Sequence, residues 1–422
     1  MNILVLQSVR YDLIGYDRAI DHDRHRVFYV GAEDKLAQIP QALRCEKIAR
    51  PGCRPMFEEV AEAIGKLDRP FDLLLSVSEQ ELFDAARLRT RFGIPGPTPQ
   101  QVEKVRDKTV MKRCTAAAGI RAPRFASLDR WLTGERLSLG EHEAVILKPV
   151  DGASSNDVKR FASERCLFEA LANKQTGVSA LDRDAAYDAS HFEVEEYVAG
   201  AVMHLDGVAK RGQVQILVAS RYVNTPMAFA HGEPMGSVQV DLEPFMPDLV
   251  TRILAAVEIR DGAFHLEMIE GKDGLTFLEI AHRVGGARVT ETFERKTGIH
   301  LGVADIRTIV DPEYTIEPNW DRSHYYGWFV APGHHLQKPY CKVSGYESLL
   351  ASDTLVELNM LAPDMPAPRK ITYVETLLPL AGLLRAPRAE EMVDALGTLF
   401  GELRLEGLDA PSWTLSMNGE RT

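Results

Sequence analysis

The segment FHLEMIEGKDGLTFLEIAHRVGG, residues 264–286, restricts the fold of this chain more than any other. Apolar and polar residues alternate on either side of EGKDG, the pattern of two antiparallel strands joined by a tight turn. Centring the turn on Lys272–Asp273 brings Glu267 within about one residue of lying opposite Glu279. Like charges so placed repel, so something must offset them. Both carboxylates could lie at the surface, paired with lysines, or a divalent cation could lie between them. Mg²⁺ takes oxygen ligands, typically one or two carboxylates with phosphate oxygens and water. The apolar flanks AFHLEM and TFLEIA speak against a fully solvated face and favour the cation. His282, three residues after Glu279, adds a third polar group. Arg283 follows, and an arginine beside a metal–phosphate centre stabilises charge on a transferred phosphoryl group. Its plain alternative is a surface salt bridge. Gly285 and Gly286 let the backbone approach a substrate closely.

The totals bound the rest. A chain of 422 residues exceeds what one core usually serves, so two or three domains are expected. A net charge of −12 argues against a general affinity for nucleic acid or an anionic membrane. Cys45, Cys53, Cys114, Cys166 and Cys341 are scattered, with no Cys-x-x-Cys pair, which predicts free thiols, a reducing compartment and no zinc cage. The opening MNILVLQSVRYD has a short apolar run, then Arg10 and Asp12, and reads as a buried strand instead of a signal peptide. No run approaches the ~20 apolar residues of a membrane span. A cytoplasmic protein is expected.

Along the first hundred residues strands alternate with helices. NILVLQ, RVFYVG and FDLLLSVS read as strands, MFEEVAEAIGKL and EQELFDAARLRTRFG as helices, which predicts a parallel, doubly wound sheet. No G-x-G-x-x-G follows the first strand. GIPGPTPQ (93–100) marks a boundary, and QVEKVRDKTVMKRCTAAAGI reads as one helix ending at Gly119. EAVILKPVDGASSNDVKRF reads as strand, glycine-containing loop and strand. HFEVEEYVAGAVMHLDGVAKRGQVQILVASRYV reads as strands of an antiparallel sheet. Residues 224–237, NTPMAFAHGEPMGS, suggest a long irregular loop suited to an active-site lid. Beyond about residue 310, GWFVAPG, LVELNML and RKITYVETLLPLAGLL look strand-like, and RAEEMVDALGTLFGELR is an amphipathic helix.

Three more stretches can carry chemistry. Lys148 ends the apolar strand VILKP and could reach phosphate oxygens, with the Gly152–Ser155 loop cradling terminal phosphates. Taken alone, that loop could be only a hairpin turn. In FEVEEYVAG, alternation places Glu193, Glu195 and Tyr197 on one face. A carboxylate there can accept an adenine amine, and backbone can read the base edge. In VRDKTVMK, Lys108 stands near a helix start.

The order RDK, LKPVDGASS, VEEYVAG, then HLEM…FLEIAHRVGG resembles the ATP-grasp superfamily, in particular its carboxylate–amine and carboxylate–thiol ligases. The resemblance covers roughly residues 1–310. It implies an α/β (α+β) protein of ATP-grasp fold, with a doubly wound N-terminal domain (1–95), a linker helix and small ATP-lid subdomain (96–185), and a large antiparallel-sheet subdomain (186–310). Residues 311–422 would be a C-terminal extension packing on it. It further implies that Lys108 and Lys148 contact the phosphates of ATP and that Ser154 and Ser155 lie in the phosphate loop. Glu195 would take the adenine amine, the Glu196–Val198 backbone the adenine edge, and Glu267 and Glu279 the Mg²⁺ (or Mn²⁺). Arg283 looks like the arginine of the acyl-phosphate step. Two departures stand out. Val202 occupies the place of a ribose-binding glutamate, with His204 on the same face as a replacement. His282 stands where the second metal motif usually has asparagine. Arg221 and Arg288 are further candidates for holding a substrate carboxylate.

The reaction implied is ATP-dependent phosphorylation of an amino-acid carboxylate, then attack by an amine, releasing ADP and phosphate. One alternative is a thioester formed on a carrier protein. Another, of a different class, is a nucleotide-binding protein without catalysis. The partners expected are ATP and amino-acid-like small molecules, with no nucleic acid and no membrane, and with a homodimer left open.

Overall fold

The computed structural model describes residues 1–411 apart from 68, 141 and 184–187. Four short strands, β1 (Asn2–Gln7), β2 (Arg26–Gly31), β3 (Glu46–Ala49) and β4 (Leu73–Leu75), form a parallel sheet in the order β3-β2-β1-β4. The apolar runs of β1 and β2 bury side chains on both faces, as a parallel sheet requires. Leu4, Leu6, Phe28 and Val30 meet Val60 and Ile64 of the helix Met56–Gly65 and Leu88 of the helix Leu82–Phe92. Ile3, Val5, Val27 and Tyr29 face Val303, Ile306 and Val310 of the helix Leu301–Val310, which ties this sheet to a distant part of the chain. The strand β3 escaped the sequence reading because EKIA is short and half charged.

The single helix expected over 101–119 is two. Pro99–Glu103 starts from a capping box between Thr98 and Gln101. The chain then breaks, and Asp107 caps Lys108–Ala117 by accepting from the Thr109 and Val110 amides. An aspartate that can bond its own downstream amides favours a cap over helix interior.

Next come β5 (Phe125–Ser127), β6 (Val145–Pro149), β7 (Lys159–Phe161) and β8 (Phe192–Glu196), a small antiparallel sheet in the order β5-β8-β6-β7. It packs on Trp131 and Leu167. Because β8 lies here, the small sheet extends past the expected division at residue 185. Residues 197–199 then cross to the large sheet.

That sheet begins with β9 (Gly200–Lys210), β10 (Gln213–Val223), β11 (Met235–Val240), β12 (Gly262–Gly271) and β13 (Gly274–Ala281). Further strands are β14 (Tyr325–Ala331), β15 (Tyr340–Ser344), β16 (Leu355–Met360), β17 (Leu380–Ala386) and β18 (Arg404–Leu408). Its order is β13-β12-β9-β10-β11-β14-β17-β16, antiparallel at every step, with β15 and β18 forming a separate ribbon. The C-terminal region therefore continues the sheet itself with three strands, where an extension packed on it had been expected. The helix Ala389–Glu402 covers these strands through Met392, Leu396 and Leu399. Residues 224–237 are more ordered than a long irregular loop. Thr225 caps a helix Pro226–Ala230, and Met235 already belongs to β11. Among the described residues, no helix is long and apolar enough to cross a membrane, and the five cysteines carry free thiols.

Candidate active site

Glu267 of β12 and Glu279 of β13 are direct cross-strand partners, and the register then slips so that Met268 faces Phe277. The slip is a bulge at Leu278. It lets the consecutive residues Leu278 and Glu279 both line the cleft between the small and large sheets, where plain alternation would send them to opposite faces. The protein's own cations offset the repulsion. Lys108 Nζ lies 3.1 Å from Glu279, while Glu267 Oε1 accepts from Tyr222 Oη at 2.8 Å and lies 3.4 Å from His265 Nε2. Against the upward push of burial, Lys108 and Lys148 hold the Glu279 carboxyl down to about 2.

A second charged layer lies across the cleft. Lys148 of β6 stands opposite Glu193 of β8, with its Nζ 2.7 Å from Glu195 and 3.7 Å from Glu193. Lys112, one helical turn after Lys108, is fully buried and bridges the same two carboxylates, 2.6 Å from Glu193 Oε1 and also bonded to Glu195 Oε2. Burial alone would lower the Lys148 pKa. Glu195, Glu193 and Glu279 together raise it above the ordinary lysine value, so it is an ammonium. Lys108 also donates to the Gly152 carbonyl at 2.6 Å, and its amide donates to Val150 O at 2.8 Å, which fastens the helix start to the loop after β6. Ser154 and Ser155 of that loop line the cleft with φ of 59° and 52°. Two adjacent left-handed serines are costly, and such backbone concentrates at ligand-binding loops.

Arg283 leaves the end of β13, with Nε 2.6 Å from Glu79 of the N-terminal domain and Nη1 donating to Val284 O at 2.7 Å. Burial works against its charge, but Glu79, with Glu279 and Glu267 adding, raises its pKa. Glu79 pairs with Arg106 as well, so one carboxylate of the first domain anchors two arginines.

Several expected roles are not met by the geometry. His282 is three residues beyond Glu279 and therefore on the opposite strand face. It sits against Asp261 O at 2.9 Å, away from the glutamate pair, and the imidazole beside Glu267 is His265. His204 shares the face of Val202 but lies deeper, paired with Glu267 in register. Its nitrogens are taken by Asp206 at 2.5 Å and Ser237 at 2.7 Å, so it has no atom for a ribose, and Val202 itself lines the cleft. Arg221 points to the face opposite Tyr222 and pairs with Glu270 at 2.5 Å, 45% exposed. Arg288 is buried among Glu357, Glu375 and Glu291 at 2.9, 3.0 and 3.6 Å, so a substrate carboxylate would meet net negative charge there. Glu195 lines the cleft, but both its oxygens already hold lysines; an adenine amine would have to share one. The Glu196 carboxylate turns to Arg124 at 3.1 Å. The amides of Glu196 and Tyr197 are spent on Arg124 O and Ala144 O, which leaves Val198, also on the cleft wall, as the next amide for a base edge.

Lys112, Glu79, Tyr222, His265 and Tyr373 escaped the sequence reading. Tyr373 stacks on Phe229 of the helix Pro226–Ala230 with ring centroids 5.0 Å apart, and burial, then Glu267 and Glu279, raise its pKa. Lys112 carried one usable signal, its four-residue spacing from Lys108. His265 lies within the hairpin motif itself, two residues before Glu267 on the same strand face, and Glu79, Tyr222 and Tyr373 come from segments with no motif.

His265 gives a test of this electrostatic reading. It lies 2.8 Å from Asp206 and 3.4 Å from Glu267. Burial opposes its charge, yet Asp206 and Glu267 lift its pKa to about 10. A free imidazole titrates near 6.5. A raised folded-state pKa adds stability that is complete below about pH 6.5 and is lost as pH rises toward 10. Melting temperature should fall by several degrees across that window in the wild type and stay flatter in His265→Gln. Parallel profiles would contradict the charge assignment.

Comparison with known proteins bears on the whole arrangement. Residues 141–291 match the ATP-grasp domain family. The chain is 26% identical over 262 residues to the L-arginine-specific L-amino acid ligase of Bacillus subtilis, a match spanning 59% of this chain and 60% of that one. The chain thus spans less than two thirds of that relative's length. The L-amino acid ligase of Bacillus licheniformis superposes with a TM-score of 0.70 at 17% identity, covering 96% of this chain and 98% of that one. The N5-carboxyaminoimidazole synthetase of Staphylococcus aureus, complexed with ADP, superposes with a TM-score of 0.62 at 13% identity, covering 94% and 96%. At such identities the two solved structures speak to fold alone. The ATP-grasp domain is thus matched over the glycine loop, β8 and the hairpin glutamates, and the chain has the same fold as both neighbours.

Proposed function

We propose that this protein is an ATP-dependent carboxylate–amine ligase that activates an amino-acid carboxylate as an acyl phosphate and passes it to an amine. The observation that carries this reading is the convergence on one cleft of Lys108, Lys148, the Ser154–Ser155 loop and the opposed Glu267 and Glu279, with Arg283 beside that pair. The name of the Bacillus subtilis relative, an L-amino acid ligase, supports it.

Two opposed carboxylates on a phosphate-sized cleft are the oxygen donor set that suits Mg²⁺ or Mn²⁺. Glu267 and Glu279 would hold that ion, which when bound neutralises charge on the terminal phosphates of ATP. Lys108, beside Glu279, and Lys148, held as an ammonium by Glu195 and Glu193, bind phosphate oxygens. The Val198 amide takes the base edge. Arg283, steadied by Glu79, stabilises the charge on the γ-phosphoryl group as it moves to a substrate carboxylate oxygen. That transfer leaves ADP and an acyl phosphate, and amine attack on its carbonyl carbon releases inorganic phosphate. Enclosure between the two sheets, with the 226–230 helix and Tyr373 at the edge, keeps water from the intermediate. The test is a screen of amino-acid pairs with ATP and Mg²⁺. ADP and phosphate should appear together with a dipeptide for at least one pair. AMP and pyrophosphate, or no turnover with any pair, would overturn the proposal.

A further inference from the structure

A cavity of about 340 Å³ lies apart from the nucleotide cleft. Its walls are the end of β4, the linker around Pro95 to Val105, residues 257–261, and the helix Leu301–Val310. Most of the lining is aliphatic, with Leu82, Val102, Val257 and Ile306 among it. Arg89 enters it from the helix Leu82–Phe92 and is only 9% exposed. Its Nη2 donates to Leu74 O at 2.8 Å, but its buried Nε has no hydrogen-bond partner, and among the described residues it makes no ion pair. Burial, with no carboxylate opposing it, lowers its pKa to about 10. Gly96 has no side chain to cover the guanidinium; a Cβ there would come 2.7 Å from Nε.

The acidic groups on the same wall are committed elsewhere. Glu258 is paired with Lys104, Asp261 accepts from the Arg211 amide at 2.8 Å, and Asp305 accepts from the Ala263 amide at 2.6 Å. His282 is engaged by Asp261 O. Arg260 also reaches the wall but is exposed, so water serves its charge. A buried cation without a counter-charge is expensive, and retaining one beside an apolar void calls for an anion that the chain does not itself supply. We infer that this cavity is a second binding site, for a small carboxylic acid with an apolar body, its carboxylate on Arg89 and its chain among the aliphatic side chains. The inference is independent of the ligase reading.

The test is calorimetric titration of the full chain, without nucleotide, with isocaproate and with isocaproamide, which has nearly the same shape and no charge. The acid should bind one per chain, and the amide at least about tenfold more weakly, the factor that a lost charge-assisted bond gives. Arg89→Met should weaken the acid by a similar factor while Glu267→Gln leaves it unchanged. Ile309→Trp, at the partly exposed rim, should block entry and decides the matter if Arg89→Met does not fold. Equal binding of acid and amide, no binding of either, or loss in Glu267→Gln but not in Arg89→Met would overturn the inference.

Discussion

Glu267→Gln and Glu279→Gln are each expected to lower ATP turnover by about a hundredfold to a thousandfold, the range seen when one electrostatic group is removed from a preorganised site. Both side chains line the cleft and neither supports a hydrophobic cluster, so the fold should persist, with melting temperature lowered only by the share of pairing lost to His265 or Lys108. Glutamine keeps the shape and can still accept from Tyr222 or lie beside Lys108. What it loses is the charge that a hard divalent cation requires. The two variants should also need more Mg²⁺ for half-maximal rate. Near-normal turnover in both at saturating Mg²⁺ would remove the pair from the mechanism.

Lys112→Met is expected to act on stability instead. Lys112 has no exposed surface and neutralises Glu193 and Glu195, which are themselves buried. One oxygen of Glu193 already lacks a partner. Without Lys112, Lys148 alone would face two buried carboxylates, and breaking such a cluster from one side costs about 3–5 kcal/mol. Denaturant unfolding measures it. Adding Glu193→Gln to Lys112→Met should return part of the loss, because it leaves one carboxylate for the one remaining lysine. An unchanged midpoint in the single variant would mean that the cluster carries little net stabilisation.

How much could be read from the chain beforehand divides along physical lines. The hairpin was legible because period-two alternation and a two-residue turn leave little freedom of register, and Glu267 does face Glu279. The parallel sheet was legible from the buried runs of β1 and β2. Lys148 stood out as a charge ending an apolar strand, and it does meet the cleft. What failed was depth. Alternation gives a side chain's face but not how far along that face the cleft extends, so His204 was drawn into a site that stops at Val202. His282 was misjudged more simply, since three residues along a strand is the wrong face. Arg221 and Arg288 are ordinary in sequence, and only the fold reveals that glutamates from other segments already surround or pair with them. Glu79 and Tyr373 reach the site from two distant regions, and long-range convergence of that kind leaves no local pattern to find.

The claim at the centre is that a carboxylate oxygen attacks the γ-phosphorus of ATP in the cleft framed by Lys148, Arg283 and the two glutamates. The most direct measurement supplies an amino acid labelled with heavy oxygen in its carboxylate, together with an amine acceptor, and weighs the phosphate released. Phosphoryl transfer to the carboxylate followed by amine attack at carbon leaves one labelled oxygen in the phosphate, with ADP as the nucleotide product. Unlabelled phosphate, or label recovered in AMP, would contradict it.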